Sequence, residues 1–373
     1  MQLINLAFPV VQVPIELKAP VYHVQRSGDQ TLVVTHPLID RRVARVDPTA
    51  ETVVARLNLM GKWLAPKSPD SDDLIVRKDD WWYVSLGGRD SLPGITFIRS
   101  DGAGVTHMSP VPGALGSLAY LIVLEGEHPR ALELTPDSRS TLARELDWSG
   151  ELRSWELPER HLLRRMRAVA MPDGTIALFS NRSGLRLYLL GDDGAVDETV
   201  VMQSVVNHFD VAINSAGVLA VVAVRNDTEE MLTALLPDLS RASAASWQVV
   251  RRGVRGWGNR HVVRVVSDGD VFYSAWVNAA RGNRVELTKL SSRPVVDVAQ
   301  ASPWVESPFL GLQADGEHVT VWWDDGDRIF GRRFPNLDGW AFLRALPSAI
   351  CRAATGRQDP EPEPYGWFPE ALR

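Results

Sequence analysis

Residues 167–190 read RAVAMPDGTIALFSNRSGLRLYLL, which is three apolar stretches separated by two polar turns. In the first turn, residues 172–174, glycine accepts a positive φ and aspartate binds its own backbone, a combination typical of a tight hairpin. The second polar turn, residues 181–184, reverses the chain again. The segment therefore predicts three successive antiparallel strands.

The same pattern returns three times in the second half of the chain. Copies occupy residues 210–236, 262–290 and 309–334, and each has a glycine-containing turn between its first two apolar stretches. These turns lie at residues 215–217, 267–269 and 314–316. Successive copies are spaced by roughly 45 to 50 residues, the period of a repeated four-stranded unit.

The first half of the chain shows the same rhythm less clearly. Residues 22–46 and 74–99 each give short apolar strands around a polar turn, and residues 118–134 give the weakest unit. The innermost strand of that weakest unit is hard to place. Seven units result, and six remain the alternative if residues 118–134 belong to an elaborated neighbour.

Through these hairpins and this strand rhythm, residues 1–335 resemble β-propellers in general. The chain lacks the Gly-His and Trp-Asp pairs of WD40 repeats and the S-x-D-x-G-x-T-W boxes of sialidase-like propellers, so the resemblance indicates no specific family. It implies an all-β fold, a single β-propeller over residues 1–337 with seven four-stranded blades. Fold resemblance by itself does not indicate function.

The ends of the chain carry three further expectations. Residues 3–13 are expected to supply the outer strand of the last blade and close the ring, because an open edge invites aggregation. Residues 338–357 predict a short helical segment packed on the propeller, limited by Pro347. Residues 358–373 form a proline-, glutamate- and aromatic-rich tail.

Composition indicates an ordinary, mildly acidic protein surface. The net charge is −6 and 23% of residues are charged, which argues against nucleic-acid or membrane binding as the main task. Cys351 is the single cysteine, so no intrachain disulfide forms. No apolar run approaches the ~18 residues needed to span a bilayer, and the N-terminus makes a poor signal peptide. We therefore expect a cytoplasmic protein.

The connectors that enter the innermost strands are expected to lie at the mouth of the central channel. The binding candidates there are Arg165, His208, Arg260, His261 and Glu306. The two histidines have similar positions relative to their turn glycines, so they either share acid–base or metal chemistry or merely pack on neighbours. The arginines suit an anionic ligand or an acidic peptide, or are solvated loop charges. No catalytic residue, metal site or cofactor is assigned.

Aromatic residues offer two other candidate surfaces. The 13 tryptophans include the pair Trp81-Trp82, Trp276 and the pair Trp322-Trp323, in or near the middle strands of three units, where they either fill the core or bind glycans. In the tail, Tyr365, Trp367 and Phe368 follow an alternation of acid and proline. These three either bind a partner protein as a short linear motif or dock back on the propeller.

The absence of G-x-S-x-G, Walker A and H-E-x-x-H sequences favours a non-catalytic role. We expect a protein-interaction scaffold in a bacterial multi-protein system, with protein partners and neither nucleic acid nor membrane. The alternatives are a hydrolase or lyase acting on an anionic small molecule at the channel mouth, and a glycan-binding propeller.

Overall fold

The computed structural model describes strands between residues 10 and 335. Side chains are described for residues 122–124 and 130–334, apart from gaps at 137–138, 159–164, 182–183, 226, 255–261, 291–294, 296–297, 300–309 and 325–328. Within this part of the chain the fold is all-β. The strands form seven four-stranded antiparallel sheets, numbered 1 to 7 in chain order.

The first three sheets follow one another along the chain. Sheet 1 contains β2 (Val21–Ser27), β3 (Gln30–Thr35), β4 (Arg42–Asp47) and β5 (Thr52–Asn58). Sheet 2 contains β6 (Leu74–Val76), β7 (Trp81–Leu86), β8 (Ile95–Ser100) and β9 (Val105–Val111). Sheet 3 contains β10 (Tyr120–Leu124), β11 (Arg130–Pro136), β12 (Thr141–Asp147) and β13 (Gly150–Leu157).

The next three sheets repeat this arrangement. Sheet 4 contains β14 (Met166–Ala170), β15 (Ile176–Ser180), β16 (Leu185–Leu190) and β17 (Val196–Met202). Sheet 5 contains β18 (Val206–Ile213), β19 (Leu219–Arg225), β20 (Glu230–Leu236) and β21 (Gln248–Arg252). Sheet 6 contains β22 (Val263–Asp268), β23 (Val271–Asn278), β24 (Arg284–Lys289) and β25 (Val295–Gln300).

The last sheet joins the two ends of the described chain. Sheet 7 contains β26 (Leu310–Ala314), β27 (His318–Asp324), β28 (Ile329–Pro335) and, on its outer edge, β1 (Val10–Val13). Strand β1 pairs antiparallel with β28, with Val10 opposite Arg332 and Val13 opposite Ile329. A strand from the N-terminal segment thus completes a sheet whose other strands come from the C-terminal part.

The hairpin turns that repeat in the sequence join the first and second strands of sheets 4 to 7. Their glycines adopt positive φ angles of 88°, 78°, 56° and 84°, at Gly174, Gly217, Gly269 and Gly316. Asn214 shows how such a turn is held, because its side-chain oxygen accepts the backbone N–H groups of Ala216 and Val218. The prediction that glycines with positive φ form these hairpin turns is confirmed.

The weakest sequence unit proves to be a regular sheet. Its innermost strand, which the sequence left unplaced, is β10, and the hairpin β12–β13 completes sheet 3. That hairpin has no Asp-Gly signal between its apolar stretches. Asp147 instead accepts hydrogen bonds from the backbone N–H groups of Ser149 and Gly150. An aspartate at the start of the turn therefore specifies it.

First strands of successive sheets contact one another. Contacts join β10 to β14, β14 to β18, β18 to β22 and β22 to β26, and further contacts join β26 to β2 and β2 to β6. Sheets 2 and 3 meet through β7 and β10. The first strands therefore lie side by side along a common inner boundary, with the fourth strands outward.

Apolar side chains fill the space between neighbouring sheets. In β19 the residues Leu219, Val221 and Ala223 pack against sheet 4, while the alternate residues Ala220, Val222 and Val224 pack against sheet 6. Side chains of a strand point alternately to opposite faces, so a middle strand that is apolar at every position is buried on both faces. Similar clusters lie between sheets 3 and 4 and between sheets 6 and 7.

Two short 3₁₀ segments interrupt the strands in the described part of the chain, at Leu239–Ala244 and Ala279–Arg281. Asp238 begins the first of them by accepting a hydrogen bond from the Ser240 backbone N–H. The helical segment expected at residues 338–357 and the tail at 358–373 lie outside the described residues.

Two glycines provide a matched test of packing between strands. Gly184 and Gly194 both have positive φ, at 98° and 81°. A Cβ at Gly194 meets nothing within 4 Å, whereas a Cβ at Gly184 would overlap the Met202 carbonyl oxygen. We expect Gly194→Ala to cost about 1–2 kcal/mol of unfolding free energy from backbone strain alone, and Gly184→Ala to cost clearly more. Chemical denaturation measures both unfolding free energies. Equal losses for the two variants would contradict the close approach of Gly184 to the Met202 carbonyl oxygen.

A carboxylate in the β26–β27 hairpin predicts an acid-sensitive contribution to stability. Burial opposes ionisation of Asp315, but the His318 backbone N–H and the Arg333 guanidinium outweigh it, so the pKa of Asp315 lies below its usual value. A lowered carboxyl pKa stabilises the folded state above the unfolded-state pKa and loses that effect as pH falls through the folded-state pKa. We expect Asp315→Asn to lower the melting temperature at pH 7. The melting temperatures of the variant and the wild type should converge as the pH falls below about 4. A difference that is independent of pH would contradict this.

Candidate functional site

The topology places two of the sequence candidates, Arg165 and His208, near one face of the molecule, which we call the connector face. It is the face at which the first strands begin, and the hairpin turns between first and second strands lie on the opposite face. Arg165 directly precedes β14, and His208 lies near the start of β18. Polar side chains from neighbouring sheets therefore meet at the connector face.

Arg165 and His208 contact each other between sheets 4 and 5. The Arg165 guanidinium donates to the Asn207 carbonyl oxygen at 2.6 Å and also contacts Nδ1 of His208. Arg165 is 8% exposed and His208 is 2% exposed. The contact with the guanidinium occupies Nδ1 of His208. The structure thus brings two predicted candidates together as a buried pair.

One further hydrogen bond reinforces this junction. The side-chain amide of Asn181, just after β15, donates to the Val206 carbonyl oxygen at 2.9 Å. Sheet 4 therefore contacts the start of β18 through a guanidinium and an amide. Both groups bind backbone carbonyls of sheet 5, and this fixes the connector between the two sheets.

A buried ion pair lies deeper along the same first strands. Arg167 Nε donates to Asp210 Oδ1 at 2.9 Å, and the other oxygen of Asp210 accepts the Val265 backbone N–H at 3.0 Å. Arg167 and Asp210 are both buried. One carboxylate therefore links β14, β18 and β22, the first strands of three successive sheets.

A second buried carboxylate lies at the junction of sheets 5 and 6, farther from the first strands. Glu286 on β24 is fully buried and accepts from Arg251 at 3.0 Å and Trp276 Nε1 at 2.6 Å. Arg281 binds the same oxygen as Arg251, and Asn278 donates to the other oxygen at 3.3 Å. We call these five residues the Glu286 cluster. Two guanidinium groups converge there on one carboxylate oxygen.

The remaining sequence candidates lie outside the described residues. Arg260, His261 and Glu306 fall in the undescribed connectors, and Tyr365, Trp367 and Phe368 fall in the tail. The proximity of His208 and His261 therefore stays a prediction. Within the described side chains, no group of three or more histidine, cysteine, aspartate or glutamate residues is arranged to hold a metal ion.

The described tryptophans serve the packing between sheets. Trp155, Trp276, Trp322 and Trp323 are buried, and Trp148 and Trp247 are half-buried. Gly331 lies opposite Trp322 across β27 and β28, and any Cβ there would overlap the indole ring. These contacts support the core-packing interpretation for the tryptophans whose side chains are described.

Sequence reasoning missed Asp210 and Glu286. Each is a single carboxylate flanked directly by apolar residues, in the segments VNHFDVAI and RVELTK. A charged residue at a position that faces the core is a signal of a buried pair, since unpaired carboxylates are almost never fully buried. Arg167 and Arg251 come from other sheets, so the signal reveals the acid but not these partners; Arg281, five residues before Glu286, is the one local partner arginine.

Comparison with known proteins identifies the fold and no family. The chain matches no protein-family model and no curated protein sequence. It is similar to a catalytically inactive virginiamycin B lyase from Staphylococcus aureus crystallised with quinupristin, with a TM-score of 0.58 and 11% identity over 88% of this chain and 99% of that one. It is also similar to U3-55K, with a TM-score of 0.55 and 10% identity over 87% and 98% of the two chains.

A third similar structure is the Dos1 propeller, with a TM-score of 0.50 and 12% identity over 84% of this chain and 77% of that one. At these identities the similarity shows the fold alone. The neighbours are β-propellers, which confirms the general resemblance inferred from the hairpins. They include both enzymes and non-catalytic modules, so they do not separate these roles. In the described part of the chain, no helix has the length and apolarity to cross a membrane.

The Arg167–Asp210 pair predicts a large loss of stability on truncation. Asp210→Ala removes the carboxylate from a buried guanidinium and from the Val265 N–H, so we expect a loss of about 3–5 kcal/mol in unfolding free energy. The matched control is Asp227→Ala, which removes an exposed carboxylate paired with Arg225. The control should change the denaturation midpoint little. Similar effects of the two changes would show that Asp210 does not link the strands.

Proposed function

We propose that the chain is a non-catalytic protein-interaction module, a rigid platform in a cytoplasmic, bacterial multi-protein system. In this proposal the seven sheets are seven blades of one ring over residues 1–337, and the β1–β28 pairing closes the ring. Contacts between first strands and the pairing of β1 support this arrangement. Residues 338–357 pack on the ring as a helical segment, and residues 358–373 form an accessible tail.

The proposal depends chiefly on how the connector face uses its polar groups. Arg165, His208, Arg167 and Asp210 are buried, and their hydrogen bonds join neighbouring sheets. Groups that serve acid–base chemistry must reach a substrate. Here the described candidates instead bind each other and the backbone, which favours a rigid scaffold.

An enzyme acting on an anionic small molecule at the channel mouth is the second candidate. The similarity to a lyase and the arginines of the connector face favour it. It requires chemistry from Arg260, His261 or Glu306, since Nδ1 of His208 faces Arg165. Glycan binding has less support, because the described tryptophans are buried or half-buried.

We expect the tail to bind a partner protein through its aromatic residues. We expect the full-length chain, tagged and purified from the organism that produces it, to retain a specific partner. The variant Tyr365→Ala/Trp367→Ala/Phe368→Ala should lose that partner and keep the wild-type melting temperature. Co-purification followed by mass spectrometry, beside a thermal denaturation curve, measures both effects.

The matched control replaces two exposed leucines of sheet 3, Leu142 and Leu152, by alanine. This control should keep the partner, because we expect binding to depend on the three tail aromatics and not on exposed apolar surface in general. If the tail variant keeps its partner, the motif interpretation is wrong. If instead its melting temperature falls, the aromatic residues dock on the propeller itself.

A further inference from the structure

The hairpins between the first and second strands of sheets 6 and 7 carry more negative charge than the described chain neutralises. They lie on the face opposite the connectors, which we call the hairpin face. Neither hairpin turn contains a lysine or an arginine, and their carboxylates are those of Asp268, Asp270, Asp315 and Glu317. Among the described residues one arginine pairs with this set, Arg333, whose guanidinium lies 2.9 Å from Asp315. The hairpins therefore attract cations.

The other contacts of these carboxylates leave the negative charge in place. Nδ1 of His318 lies 3.8 Å from Asp315 and 3.9 Å from Glu317, and this contact is ionic only when the imidazole is protonated. Asp270 accepts a hydrogen bond from a serine hydroxyl at 2.8 Å, which adds no charge. At pH 8, where histidine side chains are ordinarily neutral, the hairpins thus keep the charge of Asp268, Asp270 and Glu317.

Asp268 faces the junction between the two sheets. Side chains of β22 alternate, and Val266, two residues earlier, packs into the apolar cluster between sheets 6 and 7. Oδ1 of Asp268 accordingly lies 4.0 Å from the position that a Cβ at Gly316 would occupy. The carboxylate therefore projects from sheet 6 towards the hairpin of sheet 7.

One oxygen of Asp268 is buried and unused. Within the described residues, Oδ2 has no hydrogen-bond partner. Burying a carboxylate oxygen is unfavourable unless a donor compensates for the lost water, so buried polar atoms nearly always bind protein, solvent or a ligand. Because no described hydrogen bond holds this side chain, rotation about χ2 can bring either oxygen to the rim of the junction. The carboxylate is therefore available to a donor from outside this part of the chain.

Aliphatic carbon lies beside this carboxylate. Val266 of β22 and Leu312 and Ala314 of β26 belong to the cluster between sheets 6 and 7, and all three are half-buried. Nearer the connector face, Leu310 of the same strand is 1% exposed. The junction is thus closed towards the connector face and keeps apolar surface partly open at the hairpin face.

This combination of charge and apolar surface fits the side chain of lysine or arginine. Both have a long aliphatic stem that packs along apolar surface while the charged head stays hydrogen-bonded. Ammonium and guanidinium groups also donate charge-assisted hydrogen bonds to carboxylates, which are about twice as strong as neutral ones. A basic side chain can therefore use the aliphatic carbon and the unused carboxylate together.

We propose that the junction of sheets 6 and 7 binds a basic segment of a partner protein at the hairpin face. One lysine or arginine of the segment packs its stem on Val266 and Leu312 and donates to the Asp268 carboxylate. Further basic residues of the segment meet Asp270 and Glu317 at the rim. This inference rests on the proposed interaction function and gives it a partner chemistry.

Charge argues against the tail of the chain itself as the occupant. Residues 358–373 include an alternation of acid and proline over Asp359, Glu361 and Glu363. Like charges repel, and the carboxylates of the hairpins have the same sign. A partner of opposite sign therefore fits the junction better than this tail does.

The test measures binding of a fluorescein-labelled peptide of alternating lysine and valine to the full-length chain at pH 8 by fluorescence anisotropy. We expect saturable binding that weakens with added salt, and no binding of the same peptide with glutamate in place of lysine. Asp268→Asn should weaken binding roughly tenfold, the effect of losing a charge-assisted hydrogen bond. No saturable binding of the lysine peptide would overturn the proposal.

The matched control is Asp193→Asn, which removes an exposed carboxylate from the β16–β17 hairpin on the same face. Asparagine can still accept the Ala195 N–H that Asp193 binds, so the hairpin is kept while one charge is lost. The affinity should not change. Equal weakening by Asp193→Asn and Asp268→Asn would show that the peptide senses only overall charge, and would overturn the site.

Thermal denaturation separates a binding role of Asp268 from a structural one. Asparagine keeps the shape of the side chain and removes a charge that no described cation balances, so Asp268→Asn should keep or raise the melting temperature. A clear fall in melting temperature would show that the carboxylate stabilises the fold itself. That result would overturn the proposal as stated.

The length of the basic side chain tests the apolar part of the junction. A peptide with 2,4-diaminobutyrate in place of lysine keeps the charge and shortens the stem. It should bind several-fold more weakly, because less aliphatic carbon is buried on Val266 and Leu312. Equal affinity of the two peptides would show that the stem does not pack there, and would overturn the proposal as stated.

Two competing occupants have their own outcomes. Calcium at millimolar concentration should not displace the peptide, and full displacement would assign the carboxylates to a metal ion instead. We expect no dimer that depends on Asp268. A dimer that Asp268→Asn dissociates, measured by light scattering, would make a second copy of the chain the occupant. Because these assays use neither the tail aromatics nor a natural partner, their failure leaves the partner-capture test of the proposed function intact.

Discussion

In the sheets whose side chains are described, burial of both faces of the middle strands is the constraint on which the structure depends. Strand β19 is apolar at consecutive positions, with Val221 facing sheet 4 and Val222 facing sheet 6. A sheet built from such strands leaves apolar surface exposed until a neighbour covers each face. No single sheet is therefore a stable unit, and the repeat of the sequence is a requirement of packing.

Buried charge fixes how these apolar faces align. Dispersion and hydrophobic contacts are not directional, whereas Asp210 accepts from Arg167 on one neighbouring strand and from the Val265 N–H on another. Glu286 does the same between sheets 5 and 6, and Arg332 reaches from β28 to the Val298 carbonyl oxygen of sheet 6. Burial lowers the pKa of Arg332 to about 10. Each ionic contact costs desolvation and defines one relative position of two sheets.

Sequence reasoning predicts what is local. Gly174, Gly217 and their equivalents announce hairpins because a positive φ is a property of the residue itself. The contacts of Asp210 with Arg167 and of Glu286 with Arg251 are not local, since the two arginines lie on other sheets. The register that directs Arg251 towards Glu286 of sheet 6 includes a bulge between β20 and β21 that apolar periodicity does not show. Arg165 and His208 are buried against each other, and this contact between sheets is not visible in any local pattern.

The pairing of β1 with β28 also orders the events of folding. Synthesis runs from the N-terminus, so Val10 leaves the ribosome before its partner Arg332, which follows more than three hundred residues later. At a synthesis rate of about 5–20 residues per second, β1 waits for tens of seconds without its partner. Sheets 1 to 6 are assembled from strands contiguous in the chain and can form during this interval. Sheet 7 is the last to be completed, so the nascent chain carries β1 as an unpaired strand until β28 has been synthesised.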